Sequence, residues 1–285
     1  MRANRENPLT HHVSALVTGA GSGIGRAFSL ALAKRGCTVV CVDLDLNAAK
    51  ETVAAIQQQY LETAYAFACD VSQFQQMQNL ALKVEQQLAQ PIQLLINNAG
   101  VGLGGRFDEI SRQDWQWCLD VNLWGVIHGC QTFLPQLKKA QQKHQPSAII
   151  NVASAAAYTA APEMTAYNVS KSGVLALSES LAAELAEEGI RIHVLCPTLV
   201  PTNIMKNGKL PDAYASKANH LLTHHASVTA EQVAEMTLDR LDRGKFYTMP
   251  QWDAKLFWWL KRHFPLAYQK TLAMGYPWFK RWIKR

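Results

Sequence analysis

Residues 13–18 read Val-Ser-Ala-Leu-Val-Thr, a short apolar run of strand type, and Gly19, Ala20, Gly21, Ser22, Gly23, Ile24 and Gly25 follow at once. A helical pattern then runs through Arg35. Strand, glycine turn and helix in this order leave few folds open. The turn must be tight, which glycine permits, and the first N–H groups of the helix point at whatever approaches the end of the strand. A phosphate suits that place, because the N–H groups meet its charge and a bare backbone lets it come close. The spacing is T-G-x-x-x-G-x-G, not G-x-G-x-x-G. Gly19, Ser22, Gly23, Ile24 and Gly25 are therefore candidates for holding a dinucleotide.

A second apolar run ends in Asp43, eighteen residues after Gly25. A carboxylate about 20 residues past such a turn takes ribose hydroxyls in dinucleotide folds. Asp43 would repel a 2′-phosphate, and no Arg or Lys follows it directly, only Leu44 and Asp45. NAD is expected over NADP; an ordinary strand-end aspartate is the alternative. Strand-type runs recur near 13–18, 37–43, 64–69, 92–96, 148–153, 190–196 and 246–249, with helical patterns between them, long ones near 111–139 and 165–188. Alternation of this kind predicts an α/β fold, a doubly wound parallel seven-stranded Rossmann sheet with helices on both faces. A chain of 285 residues, 48% hydrophobic, can build it around one core. The expected division is a polar tail over 1–12, one dinucleotide-binding and catalytic domain over 13–250, and an extension over 251–285. The patternless stretch 203–230 reads as a lid over the substrate.

Tyr167 and Lys171 stand four residues apart in Ala-Tyr-Asn-Val-Ser-Lys, and Ser154 precedes the tyrosine by thirteen. On a helix, positions i and i+4 share a face, so the ammonium can lie near the phenol and favour the phenolate. Lowering a tyrosine from about 10 to about 7 takes roughly 4 kcal/mol. A phenol so tuned can exchange a proton with a carbonyl or alcohol oxygen near neutral pH. A solvated helix carrying Tyr and Lys by chance is the plainer reading of the pair alone.

With these motifs in order, the chain resembles the short-chain dehydrogenase/reductase family of the short single-domain type, over about residues 13–250. The matching residues are the Thr18–Gly25 turn, Asp70-Val71, Asn97-Asn98-Ala99-Gly100, Asn122, Ser154, Tyr167 and Lys171. The resemblance implies that Asp70 bonds the adenine amine and Val71 its ring. It implies that Asn97, Ala99 and Gly100 line the cofactor and support the central strand. It makes Asn122 the holder of a water behind Lys171, and Ser154 the partner of the substrate oxygen. Tyr167 becomes the acid/base, and Lys171 the residue that bonds the nicotinamide ribose and lowers the phenol pKa. Val200 and Thr202 match the family in Pro197-Thr198-Leu199-Val200-Pro201-Thr202, and Thr202 is expected on the nicotinamide carboxamide. Thr198 stands where the family has glycine, and a β-branched residue resists positive φ, so a different loop path is expected there. A homodimer or homotetramer through the two long helices is also implied.

Residues 245–285 hold nine cations against one acid, Asp253, although the whole chain is only +6. Twelve aromatics lie in the same stretch, among them Trp252, Trp258, Trp259, Trp278 and Trp282. Near the end, Trp278, Phe279, Trp282 and Ile283 fall on one side of a helix, and Lys280, Arg281, Lys284 and Arg285 on the other. This predicts an amphipathic helical extension that contacts a membrane surface peripherally, or packs on the core or a partner subunit. Nucleic acid is not expected, because no recognised motif accompanies the cations. Six cysteines without metal-ligand spacing read as buried reduced thiols. No metal site is expected; His220, His224 and His225 suggest one only faintly. With no apolar leader and no run of eighteen apolar residues, a cytoplasmic protein is expected.

The leading functional expectation is an NAD(H)-dependent oxidoreductase that interconverts a lipophilic secondary alcohol and its carbonyl. The alternatives are an NADPH-dependent reductase of 3-oxoacyl thioesters or other carbonyls, and a nucleotide-binding sensor or membrane scaffold without turnover.

Overall fold

The computed structural model describes residues 8–202, 204, 208–211 and 227–284. The three histidines over 220–225 and most of the expected lid lie outside these residues. The strands are β1 (Ser14–Thr18), β2 (Thr38–Asp43), β3 (Ala64–Ala68), β4 (Leu94–Asn97), β5 (Ala148–Val152), β6 (Arg191–Leu195) and β7 (Tyr247–Thr248). They form one parallel sheet in the order β3-β2-β1-β4-β5-β6-β7. Among the described residues the helices are α1 (Gly23–Lys34), α2 (Leu46–Tyr60), α3 (Phe74–Gln87), α4 (Arg112–Leu119), α5 (Gly125–Gln142), α6 (Ala156–Thr159), α7 (Thr165–Glu184), α8 (Ala230–Asp242), α9 (Trp252–His263) and α10 (Pro265–Lys284).

Every residue of β1, β4 and β5 is buried, as strands covered on both faces must be. Successive side chains divide between the two cores. Ala15 and Val17 join Phe28 and Leu32 of α1, Ile56 of α2 and Leu238 of α8; Leu16 joins Met77 of α3, Phe133 of α5 and Val174 of α7. The strand order reverses between β1 and β4, where the carboxyl ends diverge into a crevice. The seven expected strands and the doubly wound arrangement are thus present, with ends moved by a residue or two.

The long helix expected over 111–139 is present as α4 and α5, joined without a break. Residues Asp120–Trp124 form a π turn between α4 and α5. Side chains cap the starts of α2 and α8: Asp45 accepts from the amide of Asn47 at 2.8 Å, and Thr229 forms a capping box with Gln232.

The extension folds as α9 and α10. Ala254 of α9 is buried in the core, and Trp258 packs against it. The Tyr268 hydroxyl donates to the Thr159 carbonyl at 2.9 Å, and the Tyr276 hydroxyl to Glu163 Oε1 at 2.6 Å. The extension is therefore anchored to its own chain along one side, while Trp252, Leu266, Met274 and Trp278 on its outer sides are each more than 70% exposed. Among the described residues no helix is long and apolar enough to cross a membrane.

Candidate active site

The glycine turn is as tight as its sequence requires. Gly19 has φ +64, and a Cβ on Gly25 would lie 2.0 Å from the Gly19 carbonyl oxygen, so α1 can leave β1 at this angle only with glycine there. The ends of β1 and β4 are stitched together across the crevice. Thr18 Oγ1 accepts from the amides of Asn98 and Ala99, both at 3.0 Å, and Asn98 Nδ2 donates to the carbonyls of Thr18 (2.9 Å) and Gly19 (3.2 Å). Ser22, the N-cap of α1, makes no side-chain cap bond to the first turn.

Asp43 ends β2, and its carboxylate accepts from the amides of Gly21 (2.8 Å) and Asp45 (3.1 Å). Each oxygen keeps lone-pair capacity, so hydroxyl donors of a ribose can still be taken. Asp70 lies at the end of β3 with Oδ1 bonded to the Ser72 amide (3.0 Å) and hydroxyl (2.7 Å), in a turn that opens α3. Val71 is buried, and its carbonyl meets His128 Nδ1 at 2.9 Å. A tight glycine cradle, an uncapped helix start and a carboxylate at the end of β2 together fit a dinucleotide.

Asn97 departs from the expectation that it lines the cofactor. Its side chain is buried beneath the strand ends, and Nδ2 donates to Asn151 Oδ1 at 2.9 Å. Asn151 Nδ2 donates in turn to Ser178 Oγ at 2.9 Å. A Cβ on Gly129 would lie 2.1 Å from Asn97 Oδ1, so α5 presses directly on this amide. Asn97 thus ties β4 to β5 and, through Asn151, to α7, which is the supporting half of its expected role. The sequence gives no sign of which face of the strand it takes.

Tyr167 and Lys171 share a face of α7, with Nζ 5.9 Å from the ring centroid. Lys171 Nζ donates to the Val152 carbonyl at 2.9 Å. The Ser154 hydroxyl, just beyond β5, donates to the Pro197 carbonyl at 3.4 Å and accepts from the Ala156 amide at 3.2 Å, and it lies close enough to the Tyr167 phenol to lower its pKa. Asn122, in the π turn, accepts from the Val101 amide at 2.8 Å and donates to its carbonyl at 2.9 Å. A Cβ on Gly100 would stand 3.1 Å from Asn122 Oδ1 and 3.4 Å from Lys171 Nζ, so the two groups converge on that glycine. The structure therefore brings Asn122, Ser154, Tyr167 and Lys171 to the crevice side of the sheet.

The electrostatics differ from expectation. Burial pushes the Tyr167 phenol up to about 12, against the lowering effect of the Ser154 hydroxyl. Burial pushes the Lys171 ammonium down to about 8. The ammonium is held to a backbone carbonyl beside the ring, and desolvation is the leading cause of both shifts. Cys196 lies close by, but burial pushes its thiol up to about 12, far from a thiolate. All six cysteines are free and buried.

The loop after β6 explains Thr198. Its φ is not positive, so no glycine is needed. Its amide donates to Gln251 Oε1 (3.1 Å), its hydroxyl to Asp253 Oδ1 (3.1 Å), and Gln251 Nε2 donates to the Leu199 carbonyl (3.0 Å). The loop is thus tied to the start of α9. Val200 is buried, and Thr202 reaches the glycine turn, where a Cβ on Gly23 would come 3.0 Å from Thr202 Cγ2. Arg26 lines the same cavity as Gly23 and Thr202. Sequence reading missed Arg26, Gln251, Asp253 and the Tyr276–Glu163 contact. The one signal for the loop contacts was a threonine where glycine was expected.

A parallel sheet reversing at β1/β4, with a glycine cradle at the reversal, defines the Rossmann class of dinucleotide-binding proteins. Within it the chain belongs to the short chain dehydrogenase family, whose sequence pattern matches residues 13–212. It is 36% identical over 189 residues to the probable oxidoreductase EphD of Mycobacterium tuberculosis, matching 66% of this chain but only 31% of that protein's length. It is 35% identical over 196 residues to human 15-hydroxyprostaglandin dehydrogenase [NAD(+)], covering 68% of this chain and 70% of that one. A short chain dehydrogenase/reductase from Burkholderia phymatum, solved in complex with NAD, superposes with a TM-score of 0.76 at 32% identity, over 84% of this chain and 89% of the other.

Proposed function

We propose that the protein is an NAD(H)-dependent oxidoreductase that interconverts a lipophilic secondary alcohol and its carbonyl. The observation that carries this reading is the meeting of Ser154, Tyr167 and Lys171 beside a glycine cradle with Asp43 at its rim. Gly19, Ser22, Gly23, Ile24 and Gly25 would hold the pyrophosphate; Asp43 the adenosine ribose; Asp70 and Val71 the adenine; Ala99, Gly100, Val200 and Thr202 the nicotinamide half. A bound nicotinamide would supply hydride transfer. Lys171, charged below about pH 8, spends one N–H on Val152 and keeps two for ribose hydroxyls. Asn122 fixes the loop at Val101 behind it. Ser154 holds the substrate oxygen, and Tyr167 gives or takes its proton.

NAD is favoured over NADP because Asp43 presents a carboxylate where a 2′-phosphate would lie. The names of the human relative, which carries NAD(+), and of the Burkholderia structure, solved with NAD, support the same preference. The NADPH-linked reductase of 3-oxoacyl thioesters is the weaker reading for that reason. Pairing through α5 and α7, and a peripheral membrane contact through the extension, complete the proposal.

Tyr167→Phe removes the proton-carrying oxygen and little else. Turnover should fall by at least about 10²-fold, the scale of a positioned acid/base, while NADH affinity by fluorescence titration stays within about twofold. A variant that turns over normally sinks the assignment.

A further inference from the structure

The two helices of the extension each present one face to the chain and leave another bare. On α9 the bare stripe is Trp252, Leu256 and Trp259, spaced by four and three; on α10 it is Leu266, Met274 and Trp278, spaced by multiples of four. All six are between 40% and 79% exposed. Such spacing puts Trp252, Leu256 and Trp259 on one apolar line along α9, while on α10 Lys270 takes the step between Leu266 and Met274; two tryptophan-bearing stripes on consecutive helices exceed the scattered apolar residues normal on a surface. Cations border these stripes: Arg262 stands three residues from Trp259 on α9, its guanidinium over the inward-packed Trp258, and Arg281 stands three from Trp278 on α10. The Arg262 guanidinium lies 4.1 Å from the centroid of the Trp258 ring, and that of Arg281 lies 5.1 Å from Trp278. Asp253, the one acid of residues 245–285, already accepts from Thr198 and Ala254.

We infer that these outer faces seat on a bilayer containing anionic lipid. Tryptophan and leucine side chains enter the interface, and the bordering Lys and Arg meet the headgroups. A second copy suits the surface less well, since a two-fold pairing sets each cationic patch against its own image. The inner side of α10 shows what docking does to the rest of the molecule. Tyr268 is bonded to Thr159 and Tyr276 to Glu163, while the Glu163 carbonyl accepts from the Gly105 amide at 2.8 Å. A bilayer-seated α10 therefore lies one helix thickness from the loops over 102–106 and 155–164, which follow β4 and Ser154. Under the oxidoreductase reading, on which this last step rests, those loops wall the substrate site, and an apolar alcohol reaches it from the lipid.

The test uses the full chain and phosphatidylcholine vesicles with and without phosphatidylglycerol. The protein should sediment with the anionic vesicles, be released as salt rises, and show blue-shifted tryptophan emission when bound. Trp259→Ser, Leu266→Ser and Trp278→Ser combined should weaken partition about tenfold or more. Lys261→Glu with Arg281→Glu should weaken it by roughly fivefold or more per cation, while turnover of a short water-soluble alcohol is kept in both variants. Equal sedimentation with and without vesicles overturns the inference. So does self-association in solution that the serine variant abolishes, or vesicle binding that neither variant alters. Docking needs no turnover, so Tyr167→Phe should dock like the parent. A protein that docks yet never oxidises an alcohol keeps the surface and loses the oxidoreductase reading.

Discussion

At the scale of single residues, the helical spacing of Tyr167 and Lys171 was legible and their enclosure was not. Four residues of separation place two side chains on one face of α7. Whether an ammonium then lowers a phenol depends on how much water each keeps, and here both are buried. The phenol rests near 12 in the structure, with Ser154 as the contact that pulls it down. This makes Ser154 more than a hook for substrate oxygen. Alcohol oxidation needs the phenolate, which takes the alcohol proton and becomes the phenol, so its rate should climb with pH as the phenolate forms. Ser154→Ala removes the hydroxyl that lowers the phenol, and the rising limb of the pH–rate profile should move to higher pH while kcat falls about 10²-fold. An unmoved limb with a raised KM would mean that Ser154 touches the substrate alone. Asn97 teaches a related lesson: the motif marked the residue, but the alternation of a strand decides which face it takes, and Gly129 on a distant helix confirms the choice sterically.

At the scale of elements, strands and helices were readable because both follow from periodicity, and their irregularities were not. The π turn at Asp120–Trp124 leaves the apolar pattern almost unchanged, yet it brings Asn122 into position to clamp Val101 through two bonds. The loop after β6 is the complementary case. Thr198 announced a departure, but its partners Gln251 and Asp253 lie more than fifty residues on and follow no local rule. Threonine replaces glycine here without strain because the position has no positive φ, and its hydroxyl gains Asp253. Thr198→Gly should cost about 1 kcal/mol of stability by urea unfolding, through the lost bond and the added freedom of glycine. Asp253→Ala should cost somewhat more, since the Ala254 amide also loses its acceptor. In the double variant the two effects should fall short of their sum by about 0.5 kcal/mol or more. Strict additivity would show that the loop and α9 are not coupled through this contact.

At the scale of the whole molecule, the sheet order follows from rules that admit few alternatives, whereas the course of the extension does not. An amphipathic helix with tyrosines on one side and tryptophans on another fits core and membrane alike until its inner contacts are seen. The sheet edge offers a separate handle on global stability. His193 is buried on β6, with Nδ1 2.8 Å from the Lys245 carbonyl and Nε2 2.8 Å from Thr248 Oγ1. A carbonyl only accepts, so Nδ1 carries the proton and Nε2 takes the threonine hydroxyl. The ring is held neutral, and burial pushes its pKa down to about 4 from the usual 6.5. Between those two pH values the unfolded chain binds a proton that the folded chain refuses. Stability therefore falls as pH drops through 6.5 towards 4, by roughly 3 kcal/mol in full and about 2 kcal/mol between pH 7 and 5. His193→Gln can keep a donor towards Lys245 and an acceptor towards Thr248 but cannot titrate. Its unfolding free energy should decline less than the parent's between pH 7 and 5, by about 2 kcal/mol in chemical denaturation. The carboxylates act equally in both proteins, so the difference isolates the ring, and identical declines would show that His193 is not the group that makes the sheet acid-sensitive.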